Sequence, residues 1–306
     1  MSWDPQNLPS QAGRTFVVTG GNAGIGYFIA EQLAGTGGHV VIASRNLQKA
    51  DAAIRSILKQ HPAAQLSAVQ LDLGSLESVR TAAAELNRLD RIDAIIENAG
   101  TVMPSRDRLE TADGNEIMFG TNHLGHFLLT ELVFPTLQRT PGSRIVTMGS
   151  GATRMTGIDL DDLQSTKKYS SWKAYGQSKH ATQSFGFELD RRLRAADSSV
   201  TAVVAHPGSG QDGASPAREG INVPSAGARF KARLLFFLGG GKDKAAWSAV
   251  RAAIDPSVEG GQYWGPRGNI SGPPVLAKPA AVSHEEILGR ALWERSEKLV
   301  GGVFEV

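Results

Sequence analysis

The run Thr15-Phe16-Val17-Val18-Thr19-Gly20-Gly21-Asn22-Ala23-Gly24-Ile25-Gly26-Tyr27-Phe28-Ile29-Ala30-Glu31-Gln32-Leu33-Ala34 decides how this chain is read. Its first five residues form a short apolar run of β-formers. A glycine turn follows, and then eight residues in helix-like order. Strand, glycine turn and helix place backbone amides at a helix start. There they can receive a pyrophosphate, and positions without side chains let it come close. The spacing is Gly-x-x-x-Gly-x-Gly on Gly20, Gly24 and Gly26, with Asn22 and Ile25 inside the turn. Taken alone, the same glycines also suit a turn that holds no ligand.

The neighbouring segments repeat the strand–helix rhythm. A second strand, His39–Ser44, ends at Arg45. In a dinucleotide fold this strand end faces the adenosine ribose, where an acid would accept from a free 2′-hydroxyl and an arginine would pair with a 2′-phosphate. No acid is present, and Ser44 and Arg45 stand there, which favours NADP(H) over NAD(H). The alternative is an arginine that only begins the next helix in solvent. A third strand, 66–71, delivers Asp72 and Leu73, and a fourth, 92–96, delivers Asn98-Ala99-Gly100. Strands at 144–148 and 200–205 lead to Ser150 and to Pro207-Gly208, and a last short one lies near 261–264. This alternation predicts an α/β fold: a single-domain, Rossmann-like, doubly wound parallel sheet of about seven strands with helices on both faces. Ligands should sit at the C-terminal ends of the strands. Asp72 and Asn98 equally suit turn or N-cap duty.

Tyr175-Gly176-Gln177-Ser178-Lys179 places a phenol and an ammonium one helical turn apart. A nearby ammonium favours the phenolate and lowers the tyrosine pKa from about 10, which suits proton transfer near neutrality. Such a pair on its own is commonly solvated surface decoration.

Composition narrows the field. The chain has 306 residues, formal net charge +2 and no cysteine. Disulfides and thiolate chemistry are therefore excluded, and nothing basic or aromatic–basic points to nucleic acid. No basic leader precedes an apolar stretch, and the apolar patch Leu234–Leu238 is far too short to span a bilayer. The expectation is a cytoplasmic protein without a transmembrane anchor. Residues 1–12 read as a loose arm, 13–306 as one catalytic domain, and 284–299 as an amphipathic helix packing through Ile287, Leu288, Leu292 and Leu299. His123 and His126 lack a credible third ligand, so no metal is expected, and His123 is expected to pack beneath the cofactor loop.

In combination, Thr19-Gly20-x-x-x-Gly24-Ile25-Gly26, Asp72-Leu73, Asn98-Ala99-Gly100, Asn122, Ser150, Tyr175-x-x-x-Lys179 and Pro207-Gly208 resemble the short-chain dehydrogenase/reductase family. Phe119–Phe127, Ala174–Lys179 and the long insert between Ser150 and Tyr175 look like its retinol-dehydrogenase and WW-domain-oxidoreductase branch. The tail segment Val258–Pro266 resembles bacterial members. Several vertebrate relatives in the branch are membrane anchored. The resemblance implies a catalytic set of Asn122, Ser150, Tyr175 and Lys179. Ser150 would stabilise developing alkoxide, Tyr175 would transfer the proton, and Lys179 would acidify the tyrosine and hold the nicotinamide ribose. Asn122 would fix a water that links Lys179 to solvent. By family position, 209–245 covers the substrate, with Phe230, Leu234, Phe236 and Phe237 as pocket residues, core residues or a lipid-facing helix face, core being the commoner use. Met103, Met155 and Trp172 are further candidates near the cleft.

Three departures stand out. Glu97 stands where many relatives have asparagine, at a position that tolerates change, and Gly149 stands where a second serine is usual. Ser209-Gly210-Gln211 replaces the run that commonly carries a carboxamide-binding threonine, with Ser209 or Gln211 as substitutes. The expected activity is NADP(H)-dependent interconversion of a carbonyl and an alcohol on an apolar small molecule. The competing readings are a double-bond reductase and a non-catalytic dinucleotide-binding sensor or scaffold. The sequence leaves both a homo-oligomer and a monomer open.

Overall fold

A computed structural model of the chain describes residues 3–235 and 239–306. The central strands are β1 (Thr15–Thr19), β2 (His39–Ser44), β3 (Gln65–Gln70), β4 (Ala94–Glu97), β5 (Arg144–Met148) and β6 (Thr201–Ala205). Two short strands, β7 (Gly210–Gln211) and β8 (Gly240–Gly241), pair with each other apart from the main sheet. β9 (Tyr263–Pro266) and β10 (Pro274–Leu276) close the main sheet's edge. Its order is β10-β9-β6-β5-β4-β1-β2-β3, and every pairing is parallel except β9 with β10. The sheet therefore has eight strands where about seven were expected. The extra one is the antiparallel edge strand, which a reading built on strand–helix alternation has no means of finding.

The helices are α1 (Gly24–Gly35), α2 (Leu47–Gln60), α3 (Leu76–Leu86), α4 (Ile117–Phe119), α5 (Gly125–Gln138) and α6 (Ser171–Ala195). Beyond them come α7 (Ala226–Leu234), α8 (Lys242–Ala245), α9 (Trp247–Ile254), α10 (Ala281–His284) and α11 (Glu286–Val300). β1 and β4 are buried along their whole length, which is why they read as unbroken apolar runs rather than alternating ones. One core layer gathers Phe127, Phe185, Leu292 and Trp293, from α5, α6 and α11. The opposite layer gathers Phe28, Ile29, Ile57 and Val250, from α1, α2 and α9. Strand order reverses between β1 and β4, so the crevice that a doubly wound sheet offers a ligand opens at their C-terminal ends.

Several terminal expectations need correction. Most of the described N-terminal arm is exposed, but it is pinned at Trp3 and Gln11. Trp3 meets Trp247 edge-on at 6.3 Å, and Gln11 is buried with its amide bonded to the Thr36 carbonyl. In α11, Leu288 and Leu292 are core as expected, but Ile287 is 84% exposed, and Trp293 and Val300 take the remaining inward positions. Phe230 and Leu234 are exposed on α7 and are not core. Phe236 and Phe237 lie outside the described residues.

Candidate active site

The glycine turn is shaped by contacts that forbid side chains. Gly20 and Gly24 have φ of +67° and +60°, a region costly for any residue with a Cβ. A Cβ on Gly26 would lie 2.3 Å from the Gly20 carbonyl oxygen and 2.4 Å from Asn98 Nδ2. At Gly24 nothing would stand within 4 Å, so the turn is open on that side. The start of α1 has no side-chain cap and no acidic residue in its first turn, leaving its amides available to an anion. Asn98 Nδ2 donates to the Thr19 carbonyl (2.9 Å), and the Ala99 amide donates to Thr19 Oγ1 (2.9 Å), so the β4 turn is locked to the end of β1.

A buried histidine extends that lock. Thr19 Oγ1 lies 2.9 Å from His126 Nε2, and His126 Nδ1 lies 3.0 Å from the Asn122 carbonyl oxygen. A carbonyl only accepts, so Nδ1 carries the hydrogen and Nε2 accepts from the threonine. Burial holds His126 neutral, with its pKa pushed down to about 4. It is thus His126, not His123, that lies beneath the glycine loop. His123 points the other way, with Nε2 2.7 Å from Ser296 Oγ on α11 among Phe119, Phe127 and Phe185. No cluster of metal-ligating side chains occurs among the described residues.

Asn122 sits in a π-helical turn, Gly120–Leu124, between α4 and α5. The widened turn presents its side chain to two elements at once. Oδ1 accepts from the Thr101 amide (2.7 Å), and Nδ2 donates to the Thr101 carbonyl (3.0 Å) and to Ser178 Oγ (2.9 Å). Both of its side-chain hydrogens are spent clamping the 98–101 turn to α6, and its carbonyl takes His126 and Thr182.

On α6, Tyr175 Oη donates to Ser150 Oγ at 3.3 Å, and Lys179, 7% exposed, donates through Nζ to the Met148 carbonyl at 2.9 Å. Ser150, Tyr175, Lys179 and Asn122 therefore converge at the C-terminal ends of β4 and β5. Burial pushes the Tyr175 phenol up, and the Ser150 hydrogen bond pulls it partly back. The expected lowering by Lys179 is not among the influences on the phenol, and the ammonium bonds the Met148 carbonyl instead; burial draws Lys179 itself down, to about 8. Gly149 has a packing reason: a Cβ there would stand 2.7 Å from Gln183 Nε2, which holds the Ser150 carbonyl at 3.0 Å. Gln177, inside the Tyr–Lys interval, was not singled out from the sequence. Its side chain accepts from the Asp159 amide and donates to the carbonyls of Asp162 and Leu163, anchoring the long insert to α6.

The remaining positions stand at or just beyond the C-terminal ends of β2, β3 and β6. Ser44 Oγ is turned back to the Asn46 carbonyl at 3.2 Å, whereas Arg45 is exposed at the end of β2. Asp72 closes its own turn, accepting from the Gly74 amide at 2.9 Å, and Leu73 is buried against Gly125. Gly208 has φ +69°, and a Cβ there would stand 2.3 Å from the Ile270 carbonyl oxygen, so the tail after β9 fixes the Pro207-Gly208 turn.

With the tyrosine, serine, lysine and asparagine gathered beside a glycine turn, the comparisons with known proteins agree. The model of the short chain dehydrogenase family matches residues 14–212. The chain is a short-chain dehydrogenase/reductase. Human retinol dehydrogenase 13 is 36% identical to this dehydrogenase/reductase over 300 residues, covering 96% of this chain and 87% of that protein. Mouse polyprenol dehydrogenase is 35% identical, covering 97% and 87%. A crystal structure of an uncharacterised protein from Mycobacterium paratuberculosis superposes over the whole of both chains with TM-score 0.82 and 34% identity. This short-chain dehydrogenase/reductase thus belongs with the retinol-dehydrogenase branch. It is an oxidoreductase acting on the CH–OH/C=O couple, and its family uses NAD(P). Among the described residues no helix is long and apolar enough to cross a membrane.

Proposed function

We propose that the protein uses NADP(H) to interconvert a carbonyl and an alcohol on a small to medium apolar substrate, with Tyr175 as proton donor and acceptor. The observation that carries this reading is the Tyr175 Oη to Ser150 Oγ hydrogen bond on a helix that buries Lys179 one turn further on. A reacting oxygen placed between the two hydroxyls would receive a hydrogen bond from Ser150 and a proton from Tyr175. Lys179 supplies a fixed positive charge beneath them and would hold the nicotinamide ribose. Asn122 keeps the 98–101 turn and α6 in register.

When bound, NADP(H) supplies or accepts the hydride. The residues fit such a group: two glycines at positive φ, an open face above Gly24 and uncapped α1 amides make a cradle for a pyrophosphate. We assign its binding to Gly20, Asn22, Gly24, Ile25 and Gly26, to Ser44 and Arg45, and to Asp72 and Leu73. Asn98, Ala99, Gly100, Pro207 and Gly208 complete the set with Tyr175 and Lys179. The preference for NADP(H) rests on Arg45, exposed at the β2 end with no acid beside it to claim a ribose hydroxyl. Gln211 is a poor stand-in for the carboxamide threonine, because its Nε2 points to the carbonyls of Leu235 and Gly239, each at 3.3 Å. Ser209 is the remaining candidate. Trp172, whose ring centre lies 6.3 Å from that of Tyr175, supports an apolar substrate, as do relatives named for retinol and polyprenol. A single domain with 209–245 as substrate cover and a cytoplasmic location belong to the same reading.

The test is NADPH oxidation against a panel of apolar ketones and aldehydes. Tyr175→Phe should lose about 10²-fold or more in kcat while still binding NADPH. Retained turnover would refute Tyr175 as proton donor. Arg45→Ala should weaken NADPH binding and leave NADH binding nearly unchanged. Equal weakening of both would show that Arg45 does not read the 2′-phosphate.

A further inference from the structure

Glu97 ends β4, one residue before the Asn98-Ala99-Gly100 turn, and is 1% exposed. A carboxylate that deep is tolerated only when its oxygens are hydrogen-bonded and a cation is near. Both conditions hold. Thr130 Oγ1 on α5 donates to Oε1, and Thr147 Oγ1, the register partner on β5, donates to Oε2 at 2.9 Å. The cation is Lys179 on α6: its Nζ bonds the carbonyl of Met148, the residue after Thr147 on β5. Adjacent residues of one strand thus hold the ammonium and the carboxylate, farther apart than a direct salt bridge, and each opposes the shift that burial imposes on the other. The only hydrogen bond from Lys179 Nζ among the described residues goes to a carbonyl, that of Met148, not to a carboxylate. His126 on α5 also feels Lys179, but it is neutral. Tyr175 answers to burial and Ser150.

We propose that Glu97 is the buried counter-charge of Lys179, a positioning residue that keeps the ammonium ionised inside the protein and so sets the pH range in which the Tyr175–Lys179 pair works. The role of that pair in turnover rests on the function proposed above; the pairing itself does not. Burial raises Glu97 to about 7 and lowers Lys179 to about 8, and each opposes the other's shift. Acidification through about 7 protonates Glu97 and removes the counter-charge. Alkalinisation through about 8 discharges Lys179 itself. The two opposite charges therefore coexist best around neutral pH.

A purely structural Glu97 would serve only to satisfy the two threonine hydroxyls. The two roles separate by NMR titration of Lys179 in protein labelled with ¹³C and ¹⁵N at lysine, with the Lys179 signal assigned from Lys179→Met. In Glu97→Gln the Lys179 midpoint should fall by about one pH unit. Thr130→Val should move it the same way by less, because losing that hydrogen bond raises the proton affinity of Glu97 without changing any charge. It also serves as the deciding variant if Glu97→Gln does not fold. An unmoved midpoint would overturn the proposal. A second measurement, the alkaline limb of the pH–rate profile for carbonyl reduction, should follow the midpoint. A limb that stays while the midpoint moves would overturn the link to turnover. If the wild type reduces no carbonyl, the functional reading fails, yet the titration still decides the role of Glu97.

Discussion

The glycine-turn half of the crevice and the 209–241 segment differ in how much side chains add to close main-chain packing. Around β1, β4 and α1, main-chain atoms come so close that side chains are excluded, as at Gly26 against Gly20 and Asn98. The 209–241 segment has such approaches too, at Gly213 against the Ala228 carbonyl and at Gly239 against that of Ser209, but side-chain latches are added to them. Gln211 ties its two ends together, Arg218 forms a two-pronged pair with Glu31 on α1, and Ser215 Oγ accepts from the Lys242 amide. Backbone contacts suit a ligand common to a family, since a pyrophosphate presents the same shape in every member. Side-chain latches can be rewritten one residue at a time, which suits a part of the molecule facing a variable substrate.

The largest expected effect that would break this comparison is at Gly26. Gly26→Ala should abolish measurable NADPH binding by fluorescence titration, because the new methyl group meets main-chain and Asn98 atoms that have nowhere to go. Gly24→Ala meets no protein atom within 4 Å, so its cost to folding should be only that of the left-handed conformation, about 1–2 kcal/mol by denaturant unfolding, and any loss of NADPH binding would come from the methyl group entering the cradle. If Gly26→Ala unfolded no more easily than Gly24→Ala, close approach would not be the principle of that half.

The latch comes next. Arg218→Ala leaves Glu31, with Tyr27 Oη still donating to it at 2.9 Å, as a buried carboxylate without its cation. The expected loss is about 2 kcal/mol, less than for a fully enclosed pair because the guanidinium keeps some contact with water. Limited proteolysis should then cut first within 209–241. Cleavage elsewhere would show that the latch does not hold this segment.

The smallest effect belongs to α7. Phe230 and Leu234 are 72% and 65% exposed, so Phe230→Ser with Leu234→Ser should change stability by less than about 0.5 kcal/mol. Any change in KM for an apolar carbonyl would then report substrate contact, and a large loss of stability would return these residues to the core.

The fold was legible because its local signals agreed. β2 and β5 were read with the bounds the structure has, since apolar β-formers end abruptly at turn residues in both. The catalytic-set positions were legible as motif residues, and they converge as the doubly wound topology requires. Other features were invisible along the chain. The choice between His123 and His126 depends on which face of a π-helical turn meets β1, and the turn offsets the periodicity used to assign faces. Gln177 carries no signal along the chain, because its partners at 159–163 belong to an irregular insert.

By itself the sequence determined the order of strands and helices, the glycine turn and the residue types available for chemistry. These follow from local propensity and from hydrophobic runs bounded by turns. The tertiary structure alone decided that Glu97 lies buried between two threonines in the field of Lys179, and that burial raises the Tyr175 phenol. Desolvation and charge pairing depend on which elements close over a residue, and that information is distributed across β4, β5, α5 and α6, not written at position 97.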